Sequence, residues 1–129
     1  MEVIMKMGHG DEIVLGDGNF PADSHAQRIV RSDGHDVMTV LDAILKFFPV
    51  DTFVDDVAIV MEPVDPDTPE PPIWSKFRES INAAEDRDVP LTLIDRFAFY
   101  DRAKQAYAIV GTSESALYAN IILKKGVVQ

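Results

Sequence analysis

Residues 7–18 read Met7-Gly8-His9-Gly10-Asp11-Glu12-Ile13-Val14-Leu15-Gly16-Asp17-Gly18. The run Ile13-Val14-Leu15 is short, apolar and bounded on both sides by glycine and acidic turn residues, which predicts a strand held between two turns. Runs of the same kind, rich in Val, Ile and Leu, recur at 28–30, 57–61, 91–94, 107–110 and 120–123. The segments between them carry a different period. Over 37–48, Val37, Val40, Leu41, Ile44, Leu45 and Phe48 fall at helical spacing behind a cap at Asp36, and Pro49 stops the segment. Over 73–85, Ile73, Trp74, Phe77, Ile81 and Ala84 make an apolar stripe, and a third helix is expected over 96–105, where Phe97 and Tyr100 stand three apart. Strands alternating with helices predict an α/β fold, a single layered domain over residues 1–129 with a roughly six-stranded sheet flanked by helices. The sheet should be mixed, because some connections are too short for parallel crossovers.

Composition narrows the function classes. A chain of 129 residues suits one domain with a real core. With 12 basic against 22 acidic residues, net charge -10, it would repel a phosphate backbone or an anionic membrane, whereas a neutral small molecule meets no such barrier. There is no cysteine, which excludes disulfides, thiolate metal sites and cysteine nucleophiles. No apolar run approaches the roughly 20 residues of a membrane span, and no charged-then-apolar leader opens the sequence, so a cytoplasmic location is expected. Residues 62–72 hold five of the eight prolines and four acids, a stiff exposed loop that either edges a site or merely connects. The glycines are too scattered for a dinucleotide fingerprint, so no nucleotide cofactor is expected.

The polar residues that could do chemistry stand at strand ends. His9, flanked by Gly8 and Gly10, has little bulk beside it and an imidazole that exchanges protons near neutrality; the alternative is an ordinary turn histidine. Asp17 leaves the same strand among glycines, where it can face a ligand or form an Asx-type turn. Arg96 opens the third helix with a planar fork of donors, for a polar ligand or for an ion pair with Asp17, Asp101 or another acid. Tyr118 is either a site residue or an aromatic plug with a wet hydroxyl. Asn120 stands in the strand run Ala119-Asn120-Ile121-Ile122-Leu123, where an amide needs a partner. His25 sits in a polar turn, lining the same cleft or simply solvated, and His35 reads as turn-and-cap chemistry. No histidine pair has the helical spacing that metal ligands often use, so no metal is expected.

Together, MGHGDEIVLGDGNFPADSHAQRIVRSDG at 7–34 and DRFAFYDRAKQAYAIVGTSESALYANIILKKGV at 95–127 closely resemble the RbsD/FucU sugar mutarotase family over nearly the whole chain. The RFAFYDRA stretch is similar to the fucose-acting branch, whereas Ala119 in YANIIL resembles the ribose branch. The resemblance implies an RbsD-like fold and an isomerase that interconverts α and β anomers of L-fucose or a related monosaccharide by acid/base ring opening and closure. Two alternatives stand beside it, a pyranase acting on D-ribose or another sugar, and a non-catalytic, transport-associated sugar-binding protein. Carried over by position, the proton donor is His9, with Tyr118 or a water relaying the second proton, and the sugar is held by Asp17, Arg96, Tyr118, Ala119 and Asn120. His25 and Tyr100 are further pocket candidates. No cofactor or metal is implied, nucleic acid and membrane are not expected partners, and copies of the chain are expected to assemble into decamers, other rings or dimers with sites near subunit boundaries. Two departures stand out: Asn19 stands where the fucose branch often has a histidine, and the sequence given starts only a few residues before the motif, where the family usually has a further amino-terminal helix, so weaker contacts between copies are expected.

Overall fold

The computed structural model describes residues 5–52 and 56–126, without the side chain of Asp23, so the outer limits of the expected 1–129 domain lie outside the described residues. Six strands form one sheet: β1 Glu12–Gly16, β2 Ile29–Ser32, β3 Ala58–Met61, β4 Thr92–Ile94, β5 Ala108–Thr112 and β6 Ile121–Lys124. Their order is β2-β5-β1-β6-β3-β4. β1, β2 and β5 run parallel to one another, as do β3 and β4, while β6 lies antiparallel between β1 and β3. The sheet is therefore mixed, as expected, with five strands pointing one way and β6 returning between them.

Burial explains why these strands read as continuous apolar runs. β1, β3 and β6 are covered on both faces, so successive residues enter two different cores instead of alternating between core and water. Ile13 and Leu15 pack on one face with Val37, Leu41, Ile44, Phe48, Trp74, Phe77 and Ile81. Val14, between them, enters the other with Ile59, Ile109, Ile122, Phe99 and Ala103. The first layer comes from α2, Val37–Leu45, and α3, Ile73–Glu85; the second comes mainly from α4, Arg96–Gln105, with the one-turn α1, Ala22–His25, beside it. Asp36 caps α2 by accepting from the Thr39 amide at 2.8 Å, and Asp95 caps α4 by accepting from the Ala98 amide at 3.0 Å.

Among the helices, one boundary and two stripes differ from expectation. α2 ends at Leu45, short of Phe48, which packs into the core beyond the helix. Ala84 is exposed, so the buried stripe of α3 is Ile73, Trp74, Phe77 and Ile81. α4 turns Phe99 and Ala103 inward and leaves Phe97 65% exposed, so its most apolar-looking residue faces out.

Candidate active site

The topology brings five carboxyl-terminal strand ends and the start of β6 to one edge of the sheet. Asp17 leaves β1 there, directly beside Asn120 entering β6. The Asp17 amide donates to Asn120 Oδ1 at 2.7 Å in a buried contact, which supplies the partner that an amide in a strand run requires. One carboxylate oxygen of Asp17, Oδ1, accepts from the Asn19 amide at 3.0 Å, so this residue does form the Asx-type turn. It also walls a cavity of about 330 Å³ with Gly18, Phe20, Pro21, Arg31 and Thr112. Turn-former and ligand-facing carboxylate are thus compatible at one residue. Burial pushes the Asp17 carboxyl above the usual range, opposed by hydrogen bonds from the Asn19, Ala119 and Phe20 amides and the Asn120 side chain.

Gly16 and Gly18 are needed for this corner. A Cβ at Gly16 would meet the Phe20 Cβ at 2.9 Å, and one at Gly18 would meet the Glu114 carbonyl oxygen at 3.1 Å. The close approach seats Phe20 at the head of an aromatic group that sequence reading left unconnected. Its ring centroid is 5.8 Å from Tyr100 and 6.4 Å from His25, and those two are 5.4 Å apart. Both further pocket candidates therefore pack beside the Asp17 corner.

Tyr118 sits at φ 56, the left-handed region that a bulky residue rarely occupies. Two contacts hold it. Its carbonyl accepts from Trp74 Nε1 at 3.1 Å, and its hydroxyl accepts from the Val64 amide at 3.3 Å. The proline-rich segment after β3 is thereby tied to Tyr118 through Val64. Ala119, next to Tyr118, is fully buried. Arg96 lies on the same edge after β4, three strand spacings or about 14 Å from β1. Four residues before Tyr100 on α4, it shares that residue's helix face. Its guanidinium stacks 4.8 Å from the Phe97 ring centroid, and it forms no ion pair with Asp17 or Asp101 among the described residues.

His9 is not brought to this corner. It precedes β1, and five strand residues, about 17 Å, separate its turn from the Asp17 corner. At that opposite edge the Gly10 amide donates to the Lys125 carbonyl at 2.8 Å, and His9 Nε2 meets Asp51 Oδ1 at 3.3 Å. Asp51 is 42 residues away in sequence and sits behind Pro49 with no motif around it, so nothing local points to it. Gly10 and Asp11 also line a groove of about 750 Å³ with Glu12, Arg28, Asp101, Arg102 and Lys124. His35 does stand in a turn, its amide donating to the Ser32 carbonyl at 3.2 Å beside the Asp36 cap. Among the described residues no group of three His, Asp or Glu side chains could hold a metal ion, and no helix is long and apolar enough to cross a membrane.

A buried carboxylate, an amide and a phenol stand together at the strand ends of a mixed α/β sheet, the edge at which such sheets commonly take small ligands. The chain belongs to the RbsD / FucU transport protein family, whose model matches residues 1–128. Among its relatives is the fucose mutarotase of Mus musculus, 46% identical over 129 residues, with 95% of this chain and 84% of that protein covered. A solved fucose mutarotase from Streptococcus pneumoniae in complex with L-fucose is 46% identical and superposes with a TM-score of 0.93, covering 99% of this chain and 91% of that one. By contrast, the RbsD of Bacillus subtilis complexed with D-ribose is 16% identical with a TM-score of 0.71 over 99% of this chain and 91% of that one, a likeness of fold alone.

Proposed function

We propose that this protein is an L-fucose mutarotase, an isomerase that interconverts the α and β anomers of the free sugar. The observation that carries the reading is the Asp17–Asn120–Tyr118 corner, set in a fold that matches at 46% identity a fucose mutarotase solved with L-fucose. A reducing sugar changes anomer by ring opening. The anomeric hydroxyl loses its proton, the C1–O5 bond breaks, and O5 takes up a proton to leave an open aldehyde. Rotation about C1–C2 followed by the reverse transfers closes the ring on the other face. Positioned proton transfer of this kind contributes about a hundred- to ten-thousandfold. His9 serves as the principal acid/base and Tyr118, or a water beside it, as the second carrier. Asp17 accepts from sugar hydroxyls, Arg96 and the Asn120 side chain donate to them, and Ala119 shapes the floor. The ring is thereby fixed while its C1 end moves. The reading needs no metal or organic cofactor, and the net charge of -10 does not oppose a neutral sugar in the cytoplasm.

The distance between His9 and Asp17 along β1 exceeds the size of a monosaccharide, so the reading also includes assembly. The His9 edge of one copy meets the Asp17–Asn120 edge of another, in a ring such as a decamer or in a dimer, and each junction holds one site. Saturation-transfer NMR between the anomeric protons tests the activity. L-Fucose exchange well above the buffer rate is expected, faster than D-ribose exchange, and His9→Ala should return it near the buffer rate with the fold intact. Binding without accelerated exchange would make the chain a sugar-binding protein, and preference for D-ribose would make it a pyranase.

A further inference from the structure

We infer that Asp51 is a positioning residue for His9, holding its imidazole in the tautomer that exchanges protons through Nδ1; this rests on the acid/base role proposed for His9. The two side chains meet at 3.3 Å, Nε2 to Oδ1, and their burial is opposite in kind. The Asp51 side chain is 4% exposed, whereas the His9 side chain is 46% exposed. A carboxylate withdrawn from water in this way needs donors, and an ionised carboxylate can only accept. With Nε2 turned to the carboxylate, the tautomer that fits the pair carries its proton on Nε2 and meets an approaching sugar oxygen through Nδ1.

The backbone makes the pair rigid from both sides. The Asp51 amide donates to the Lys124 carbonyl at 3.0 Å, and the Gly10 amide next to His9 donates to the Lys125 carbonyl at 2.8 Å. Two neighbouring carbonyls at the end of β6 thus hold both partners, although 42 residues separate them. The Asp51 carbonyl accepts from Arg87 Nη2 at 3.0 Å. Gly126 packs directly on the same residue, where a Cβ would stand 3.0 Å from the Asp51 Cα. His9 itself lies between Gly8, whose amide donates to Asp11 Oδ2 at 2.8 Å, and Gly10 at φ 87. A half-exposed imidazole would otherwise sample both tautomers and several rotamers. Held on a buried, backbone-anchored carboxylate, it keeps one orientation, and the imidazolium formed in each transfer gains a fixed counter-charge.

The test combines kinetics with nitrogen spectroscopy on the assembled full-length protein. Asp51→Asn keeps the shape but replaces an acceptor by a group that can also donate. It should lower the kcat for L-fucose exchange by at least about tenfold while KM moves less than about twofold, because the effect travels through His9 and not through sugar contacts. In long-range 1H–15N spectra, His9 of the parent protein should show the neutral Nε2–H form, and Asp51→Asn should raise the Nδ1–H share. An unchanged kcat in Asp51→Asn beside an inactive His9→Ala overturns the positioning role alone. Full exchange in His9→Ala overturns the acid/base reading and this one with it. Should Asp51→Asn fail to fold, the parent spectrum decides, and a dominant Nδ1–H form overturns the inference.

Discussion

The sugar-binding role proposed for Asp17 sets binding against stability, a conflict that can be measured directly. Its carboxyl lies above the usual range mainly because burial disfavours the charged form. An acid whose pKa is higher folded than unfolded contributes stability below the unfolded value and loses it as pH rises through the folded one. Asp17→Asn should therefore melt at the same temperature as the parent near pH 3 and at an equal or higher temperature at pH 7, while L-fucose affinity falls. A parent that gains stability over the variant as pH rises would contradict the account. Tyr118→Phe removes only the hydroxyl that accepts from Val64, so the backbone corner should persist. A phenolic proton carrier predicts a roughly hundredfold fall in exchange rate for that variant, with KM little changed. At this scale legibility was uneven. Asp17 and Asn120 stood out because glycines and a strand amide demand an explanation, and both meet in space. Asp51 was silent, since its partner is fixed by the return of β6 and by no local pattern.

The elements show which physical signals are local. Six apolar runs bounded by turn residues were readable as strands because each is a property of a few adjacent residues. Their order was not, since pairing joins segments far apart, as in the Gly16 partnership with Gly111. The stripe of α4 was misread because Phe97 faces outward and Tyr100 packs on Phe20 and His25, leaving Phe99 and Ala103 to bury. The same helix is tied to the sheet by charge. Arg102 donates through Nε to Glu12 Oε1 at 2.9 Å and through Nη1 to Asp56 Oδ2 at 3.0 Å. Those hydrogen bonds hold the guanidinium cationic well above its ordinary range. Arg102→Ala leaves the partly buried Glu12 carboxylate without its main partner and should cost about 2 kcal/mol in denaturant melts. On the opposite layer, Trp74 of α3 anchors the carbonyl of left-handed Tyr118. Trp74→Phe should slow exchange more than it lowers the melting temperature, a split visible by running calorimetry and NMR on one sample.

The groups assigned to the proposed reaction stand at two edges separated by the length of β1. One gathers Asp17, Tyr118, Ala119, Asn120 and, further along, Arg96; the other carries His9 on Asp51. In that proposed assignment neither edge alone holds the full set of groups for opening and closing a sugar ring. The family likeness was legible from two long segments, and Asp17 already read as leaving the strand that His9 precedes; that Asn120 lies beside Asp17 was not, because it follows from the antiparallel return of β6. Mixed assembly tests the central claim most directly. His9→Ala and Asp17→Ala proteins, each unable to catalyse exchange alone, are unfolded together, refolded as a mixture and assayed for L-fucose anomer exchange. Random mixing of subunits that share sites between copies regenerates intact junctions at roughly one in four, so exchange should recover to about a quarter of the parent rate. A mixture that stays at the buffer rate, with mixed oligomers verified by native mass, would contradict the account.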